Sequence, residues 1–579
     1  MVKGFISARG TELVDGQGHK VLLRGVGLGS WFLPEGYMWK MPAEADRPRR
    51  MEKLILDLVG PQSAAEFWEA YWDNFISEAD IQQIAAEGFN SLRLPIHARY
   101  LTGSDDSSEI LESRIARVDT LIEWCVHCNV YIVLDLHGAP GGQTGTNIDD
   151  SEFDRPDLFR IRENEDRTVK IWRTLAERYK DEYIIAGYDL LNEPLPNWFS
   201  EYNARVLPLY RRIIEAIRRV DSRHLIILEG VHWATDWSIF DGAFDGSFDD
   251  NVMLQFHKYW NNPDKESIAL YTEAREKWNL PIYMGEGGEN NTDWYSGAFQ
   301  LFEDLDISWN FWTWKKLDTH NSPLSITEPK GWSTLVAAAT GEAPLERESA
   351  LAILDEYIEN VKIDNCRYHP EVVRSLFRRP PIRIPAIFYS YQDRGQGFEP
   401  GPVKGIPPKL SPGSSMALPP ASPLAAPSAA SIDFRRSDGM TFGYITEGAH
   451  QVTPHFAHNG GEPWKDEDWM YVQLNPGAWA AYDFYASPSS GLQVFNLTLR
   501  MRALPAEGTV EGTVEGRVAS KVHVSIDGME QNCEVPLEKS EGFLDYQIEC
   551  TARPGHQRVA VYSKKETVQL QYLHVSIPD

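Results

Sequence analysis

Residues 184–194 read Ile-Ile-Ala-Gly-Tyr-Asp-Leu-Leu-Asn-Glu-Pro, an apolar run that ends in a polar turn. A continuous apolar run of this length, closed by Pro194, reads as a parallel strand buried on both faces. Its carboxy-terminal end then presents Asn192 and Glu193. A second run, Pro281-Ile-Tyr-Met-Gly285, ends the same way on Glu286. Two strand-end carboxyl groups of this kind raise one question of the surrounding chain: does it build a barrel that brings them together?

Working outward, strand-like runs recur at Val21–Val26, Ser91–Leu94, Tyr131–Leu136, Gly187–Leu191, Leu225–Glu229, Met253–Phe256, Ile282–Gly285 and Ser308–Trp312. Amphipathic stretches separate most of them. Residues 65–87 carry Phe67, Tyr71, Phe75, Ile81 and Ile84 at helical spacing, and Gly88 stops the pattern. Strands alternating with helices in this number predict an α/β fold, a (β/α)8 TIM barrel. A doubly wound sheet would want a glycine-rich phosphate loop after an early strand, and the sequence has none. In such barrels the chemistry gathers at the carboxy-terminal strand ends. Arg93, His137, Asn192, Glu193, His257, Tyr259, Glu286 and Trp312 fall at successive predicted ends.

The chain has 579 residues, too many for one core, so more than one domain is expected. An aromatic content of 12% with 19 Trp separates it from disordered sequences. The net charge of -28 argues against nucleic acid binding and suits a neutral substrate. No run reaches the length of a membrane span. The first ten residues lack the apolar stretch of a secretory signal, so the reading is cytoplasmic, or secreted with the signal removed. Oligomeric state is left open. Five Cys form no disulfide framework. Cys125 and Cys128 read as core thiols on a helix rather than a metal or redox pair. A pairing of Cys533 with Cys550 is left undecided.

Composition divides the chain into a catalytic barrel over 1–398, a Pro-, Ser- and Ala-rich linker over 399–431, and short alternating strands over 432–579. The last part predicts an all-β sandwich of jelly-roll type. The repeat Gly508-Thr-Val-Glu-Gly-Thr-Val-Glu-Gly516 reads as a solvated loop.

Glycosidic bond cleavage needs one carboxylic acid to protonate the leaving group and one carboxylate to act as nucleophile or base. Glu193 is the expected acid/base and Glu286 the expected nucleophile. A separation near ~5 Å would fit a retaining reaction and ~9 Å an inverting one. Neither metal nor cofactor is required, and the expected partner is a carbohydrate or glycoside.

The motifs Gly88-Phe-Asn-Ser-Leu-Arg-Leu-Pro95, Leu134-Asp-Leu-His-Gly-Ala-Pro-Gly141, Asp189-Leu-Leu-Asn-Glu-Pro194, Phe256-His-Lys-Tyr259, Met284-Gly-Glu286 and Phe311-Trp-Thr-Trp-Lys315 resemble those of glycoside hydrolase family 5 over roughly residues 10–390. The resemblance implies that Arg93 holds Glu286 ionised and that His137 contacts the sugar. It also implies that Asn192 binds the sugar 2-hydroxyl, that His257 lies near the acid/base and Tyr259 near the nucleophile, and that Trp312 forms a stacking floor. Arg24-Gly-Val-Gly-Leu-Gly-Ser-Trp-Phe-Leu-Pro-Glu35 is similar to the first-strand motif of exo-β-1,3-glucanases and exo-acting β-glucosidases. There the acidic residue matching Glu35 binds the terminal glucose and closes the cleft to a pocket. The loop after His137 departs from their pattern, with Asp149 and Asp150 in the place of sugar ligands. His232, Trp233, Trp260 and Trp294 follow predicted strand ends and are candidate cleft residues. Leu474-Asn-Pro-Gly-Ala-Trp-Ala-Ala-Tyr482 resembles carbohydrate-binding jelly rolls.

The reading is therefore a retaining exo-β-glycosidase of β-glucans or β-glucosides, disaccharide glycosides included. An endo-β-glucanase with an open groove is the alternative, and a non-catalytic carbohydrate-binding protein the alternative of another class. The aglycone stays open among another glucose, a flavonoid, a sterol and a ceramide.

Overall fold

The computed structural model describes residues 2–244, 246, 248–401, 432–446, 452–487, 491–504, 520–526, 529–537, 540 and 542–578. Most of the expected linker and the Gly508–Gly516 repeat lie outside them. The chain forms two compact units. The first holds Met1–Tyr259, Leu270–Glu289 and Asp306–His369; the second holds Trp260–Ala269, Asn290–Leu305 and Pro370–Asp579.

In the first unit eight parallel strands close a barrel: β1 (Arg24–Gly27), β2 (Ser91–His97), β3 (Tyr131–Gly138), β4 (Ile185–Asp189), β5 (Leu225–Glu229), β6 (Val252–His257), β7 (Ile282–Gly288) and β8 (Ser308–Trp312). Every residue of β2 through β8 is buried, as expected of strands covered on both faces. Two expected strands are displaced. Lys20–Val21 belongs instead to a small antiparallel sheet with Ser7–Arg9 and Glu12–Val14. The fourth strand ends at Asp189, because beyond it the Asn192 amide turns to donate to the Leu136 carbonyl.

Leu13 of the amino-terminal sheet and Ile6 just before it join Tyr131, Val133, Ala186, Leu225, Ile227, Met253 and Tyr283 in one apolar cluster. This fills the end of the barrel where the strands begin. The other end is free of that packing and carries the polar side chains.

The second unit contains two antiparallel sheets. One includes Thr441–Tyr444, Met470–Leu474, Val568–Ser576, Gln493–Ala503 and Leu544–Ala552, with Ile382–Pro385 paired to Val568–Ser576. The other runs Phe398–Glu399, Trp479–Ala486, Gly555–Ser563, Ser520–Ile526 and Met529–Leu537. Their alternating inward residues share one core, among them Val472, Leu474, Leu497, Leu499, Val524, Val561 and Leu573. Ile382–Pro385 and Phe398, placed with the barrel by composition, and Glu399, placed in the linker, thus hydrogen bond into the sandwich. Tyr482 is buried in that core and donates to the Ala386 carbonyl, so its ring packs rather than offering a sugar platform.

Candidate active site

Arg93 organises the polar end of the barrel. It sits inside β2, not at its end, and is fully buried. A buried guanidinium needs partners for all its donors. Nη1 donates to Glu286 Oε2 at 2.7 Å, and Nε to Asp189 Oδ2 at 3.0 Å. Nη2 donates to Asn192 Oδ1 at 2.8 Å and Glu229 Oε1 at 3.2 Å, with Asp135 Oδ2 at 3.1 Å. Four strands and the loop after β4 are thereby tied to one side chain.

Glu286 lies within β7 and accepts a second bond, from the Tyr259 hydroxyl at 2.5 Å. Glu193 follows β4 in a left-handed conformation (φ 46°), and its backbone amide donates to Glu229 Oε2 at 2.7 Å. That bond satisfies a donor which the turn would otherwise strand in the interior. His257 Nδ1 lies 2.6 Å from Glu193 Oε1 and 3.9 Å from Glu286 Oε1. One carboxylate oxygen of Glu193 and one of Glu286 fall within 4.8 Å of each other.

The protonation states follow from burial and neighbours. Burial opposes the His257 charge, but Glu229, Glu286 and Glu193 outweigh it and hold the imidazole well above its ordinary range. Burial likewise opposes the Glu229 charge, and His257 with Arg93 still hold that carboxyl below its usual value. Burial pushes Asp135 up to about 8, against Arg93, and raises Asp189 well above the carboxylate range. Their Oδ1 atoms are buried with no hydrogen-bond partner among the described residues, so neither carboxyl group has its full set of donors. Burial raises Glu286 above its ordinary value, and His257 and Arg93 pull it back.

Burial also pushes His137 down to about 4, so it is neutral at pH 7. Its Nδ1 is 2.7 Å from Asp135 Oδ2 and its Nε2 3.3 Å from Asn192 Nδ2. With Asn192 Oδ1 already taken by Arg93, its amide donates to Nε2, which leaves the His137 proton on Nδ1. Gln143 clasps the two strand ends by donating to both the His137 and Asn192 carbonyls, at 2.7 and 2.9 Å. The Trp312 ring stacks parallel to His137, centroids 5.6 Å apart, and its Nε1 donates to Tyr37 Oη at 2.9 Å. A Cβ on Gly27 would lie 2.9 Å from this indole, so the glycine in β1 makes room for it. Gly285 does the same for Gln255, whose amide would meet a Cβ at 2.1 Å.

Glu35 is buried (4% exposed). Burial, with Glu286, Glu289 and Glu193 adding to it, raises its carboxyl well above the ordinary value. It therefore belongs to the same electrostatic environment as the central pair.

The structure thus brings Arg93, His137, Asn192, Glu193, His257, Tyr259, Glu286, Trp312 and Glu35 to one end of the barrel. It does not bring Asp149 and Asp150 there as sugar ligands. Asp149 accepts from the amides of Thr144, Gly145 and Ser151 and shapes its own loop. Asp150 is paired with Arg99 at 2.7 Å and bonded to the Arg49 amide. Trp294 is fully buried and donates to the Asn261 carbonyl, while Trp260 is 47% exposed. Trp233 packs edge-on to the exposed Trp198.

Sequence reasoning passed over Glu229, Gln255, Asp135, Asp189 and Gln143. The signal for Glu229 was there, a carboxylate closing Leu225–Glu229. Asp135 and Asp189 were visible as charges inside otherwise apolar strands. Among the described residues Cys125, Cys128 and Cys366 are free thiols, and the Cys533 side chain lies outside the description.

Residues 59–318 match the model of the Cellulase family, glycosyl hydrolase family 5. A β-xylosidase of Phanerodontia chrysosporium is 31% identical over 255 residues, covering 44% of this chain and 52% of its own. Endoglucanase C of Acetivibrio thermocellus is 26% identical over 312 residues, 44% of this chain and 88% of its own. A probable glucan 1,3-β-glucosidase A of Aspergillus fumigatus is 28% identical over 282 residues, 47% of this chain and 66% of its own. The chain therefore spans about half the length of the first of these and two thirds of the last.

Proposed function

We propose that this protein, whose residues 59–318 match the model of glycosyl hydrolase family 5, is a retaining, exo-acting β-glycosidase of β-glucans or β-glucosides. The observation that carries the reading is that one carboxylate oxygen of Glu193 and one of Glu286 lie within 4.8 Å of each other. Retaining enzymes hold the pair ~5–5.5 Å apart, whereas inverting ones leave ~6.5–9.5 Å for a water.

Glu286 carries two donors, Arg93 and Tyr259, that favour its ionised form and aim it. Its oxygen attacks the anomeric carbon as the bond to the leaving oxygen breaks, and Glu193 gives that oxygen a proton. A water then attacks the glycosyl-enzyme ester, Glu193 takes the water's proton, and Glu286 leaves as carboxylate. Asn192 is placed beside Glu193 to bind a hydroxyl whose contact strengthens as positive charge develops on the ring. The buried Glu35 carboxyl supports exo action, because a polar wall at that end turns a groove into a pocket.

Aryl β-glycosides and β-linked glucans, with product anomers followed by NMR, test the proposal. The β-anomer of a monosaccharide should appear first. Early α-product would overturn retention, and oligosaccharides as the first products would overturn exo action. Glu286→Gly should lose hydrolysis by several orders of magnitude and yield an α-glycosyl azide when azide is supplied.

A further inference from the structure

We propose that His455, His458 and Asp468, in the second unit, bind a divalent transition metal of the Zn2+ class. One donor atom from each residue lies within 4.8 Å of the other two. The geometry is partly built. Asp468 uses Oδ2 to accept the Lys465 amide at 2.9 Å, which leaves Oδ1 3.7 Å from His455 Nδ1. A Zn2+ ion bonded at ~2.0–2.2 Å to both donors would need them about 3.3 Å apart, a small closure.

His458 supplies the independent observation. It is 6% exposed, and its Nε2 is buried with no hydrogen-bond partner among the described residues. An unsatisfied interior ring nitrogen is unfavourable unless something fills its lone pair or accepts its proton.

The loop that carries the ligands is held before any ion arrives. Phe456, between the two histidines, is buried against Phe388, Phe434 and Trp464. Asn290 Nδ2 donates to the Phe456 carbonyl at 2.7 Å, and Asn291 Nδ2 to the Glu462 carbonyl at 2.9 Å. His455 is the adjustable member, with its side chain 56% exposed. Two imidazoles and one carboxylate suit zinc and its transition-metal neighbours, whereas magnesium and calcium prefer all-oxygen shells. The ion would pin the loop to the start of Met470–Leu474 and take no part in bond cleavage.

The test is equilibrium dialysis of the full chain, stripped with chelator, against micromolar Zn2+, with metal content measured by mass spectrometry. Glu193, His257 and Glu286 form the other such cluster among the described residues. The titration is therefore run on wild type, on Glu286→Gln, and on His458→Ala and Asp468→Asn. One tightly held Zn2+ per chain is expected in wild type and Glu286→Gln. Affinity should be weaker by at least about tenfold in both His458→Ala and Asp468→Asn. Zn2+ should raise the unfolding temperature of wild type and leave that of the two loop variants unmoved, while their hydrolysis of an aryl glycoside stays at the wild-type level. Zinc lost with Glu286 but retained without His458, or no stoichiometric zinc in wild type, would overturn the proposal.

Discussion

Two buried sets of charges in this molecule are built in opposite ways. In the sandwich, Asp483 is fully buried and sits between Arg558, which donates to both of its oxygens at 2.8 and 2.9 Å, and His556 at 2.7 Å. Burial opposes its charge, yet these bonds hold its carboxyl below the ordinary range. At the polar end of the barrel, Arg93 and His257 serve Asp135, Asp189, Glu229, Glu286 and Glu193 together. Too few cations reach too many carboxyl groups, so some must carry protons. In the first arrangement Asp483 is held ionised by its partners, as a structural pair requires. The second has several within reach, as acid/base chemistry requires.

Removing Arg93 should break this contrast most severely. Arg93→Met strips the shared donor from buried acids, and its cost should be about 3–5 kcal/mol of stability, read from urea unfolding. A midpoint equal to wild type would mean that the acids are neutral without it. Leu499→Ala in the sandwich core should cost about 2–4 kcal/mol while activity per folded molecule stays unchanged. A loss of that activity would show that the sandwich core is not energetically separate from the chemistry.

The smallest effect is pH dependence from His137. Its pKa falls from 6.5 unfolded to about 4 folded, so the unfolded chain binds more protons between these values. Its contribution is complete above pH 6.5 and is lost as pH falls towards 4, about 1 kcal/mol by pH 5.5. His137→Asn should flatten that slope in denaturation midpoints measured from pH 7 to 5; an identical slope would refute the assignment of a neutral ring.

Period and position made the barrel legible, because each buried strand is an unbroken apolar run and the helices between them keep a clean face. Catalytic candidates were legible for the same reason, since Glu193 and Glu286 interrupt such runs. What stayed hidden was direction. Asp149 and Asp150 carry carboxyl groups in a strand-end loop just as Glu35 does, and only the loop's own amides and Arg99 show that they are engaged elsewhere. Trp260 and Trp294 follow their strands alike, yet one is half exposed and the other buried. Gln143 left no signal, because bonding two carbonyls from different strands is a property of the folded loop. Ile382–Pro385 reads as an extended segment either way, and only its register with Leu573 and Val575 assigns it to a sheet.

The discontinuity of the second unit has a consequence in time. Helix Thr292–Asp304 lies in sequence between β7 and β8, yet Ser296 accepts from Arg378, Asp293 pairs with Arg383, and Gly297 faces the Phe388 ring. During synthesis this helix leaves the ribosome ahead of Arg378, Arg383 and Phe388, an interval of roughly 4–17 s at the usual rate of elongation. Through that interval Gly297 lacks the Phe388 ring that finally faces it, and Ser296 and Asp293 lack their arginine partners. The nascent chain should therefore be a client of chaperones until Phe388 emerges, and a chain cut at residue 370 should remain one.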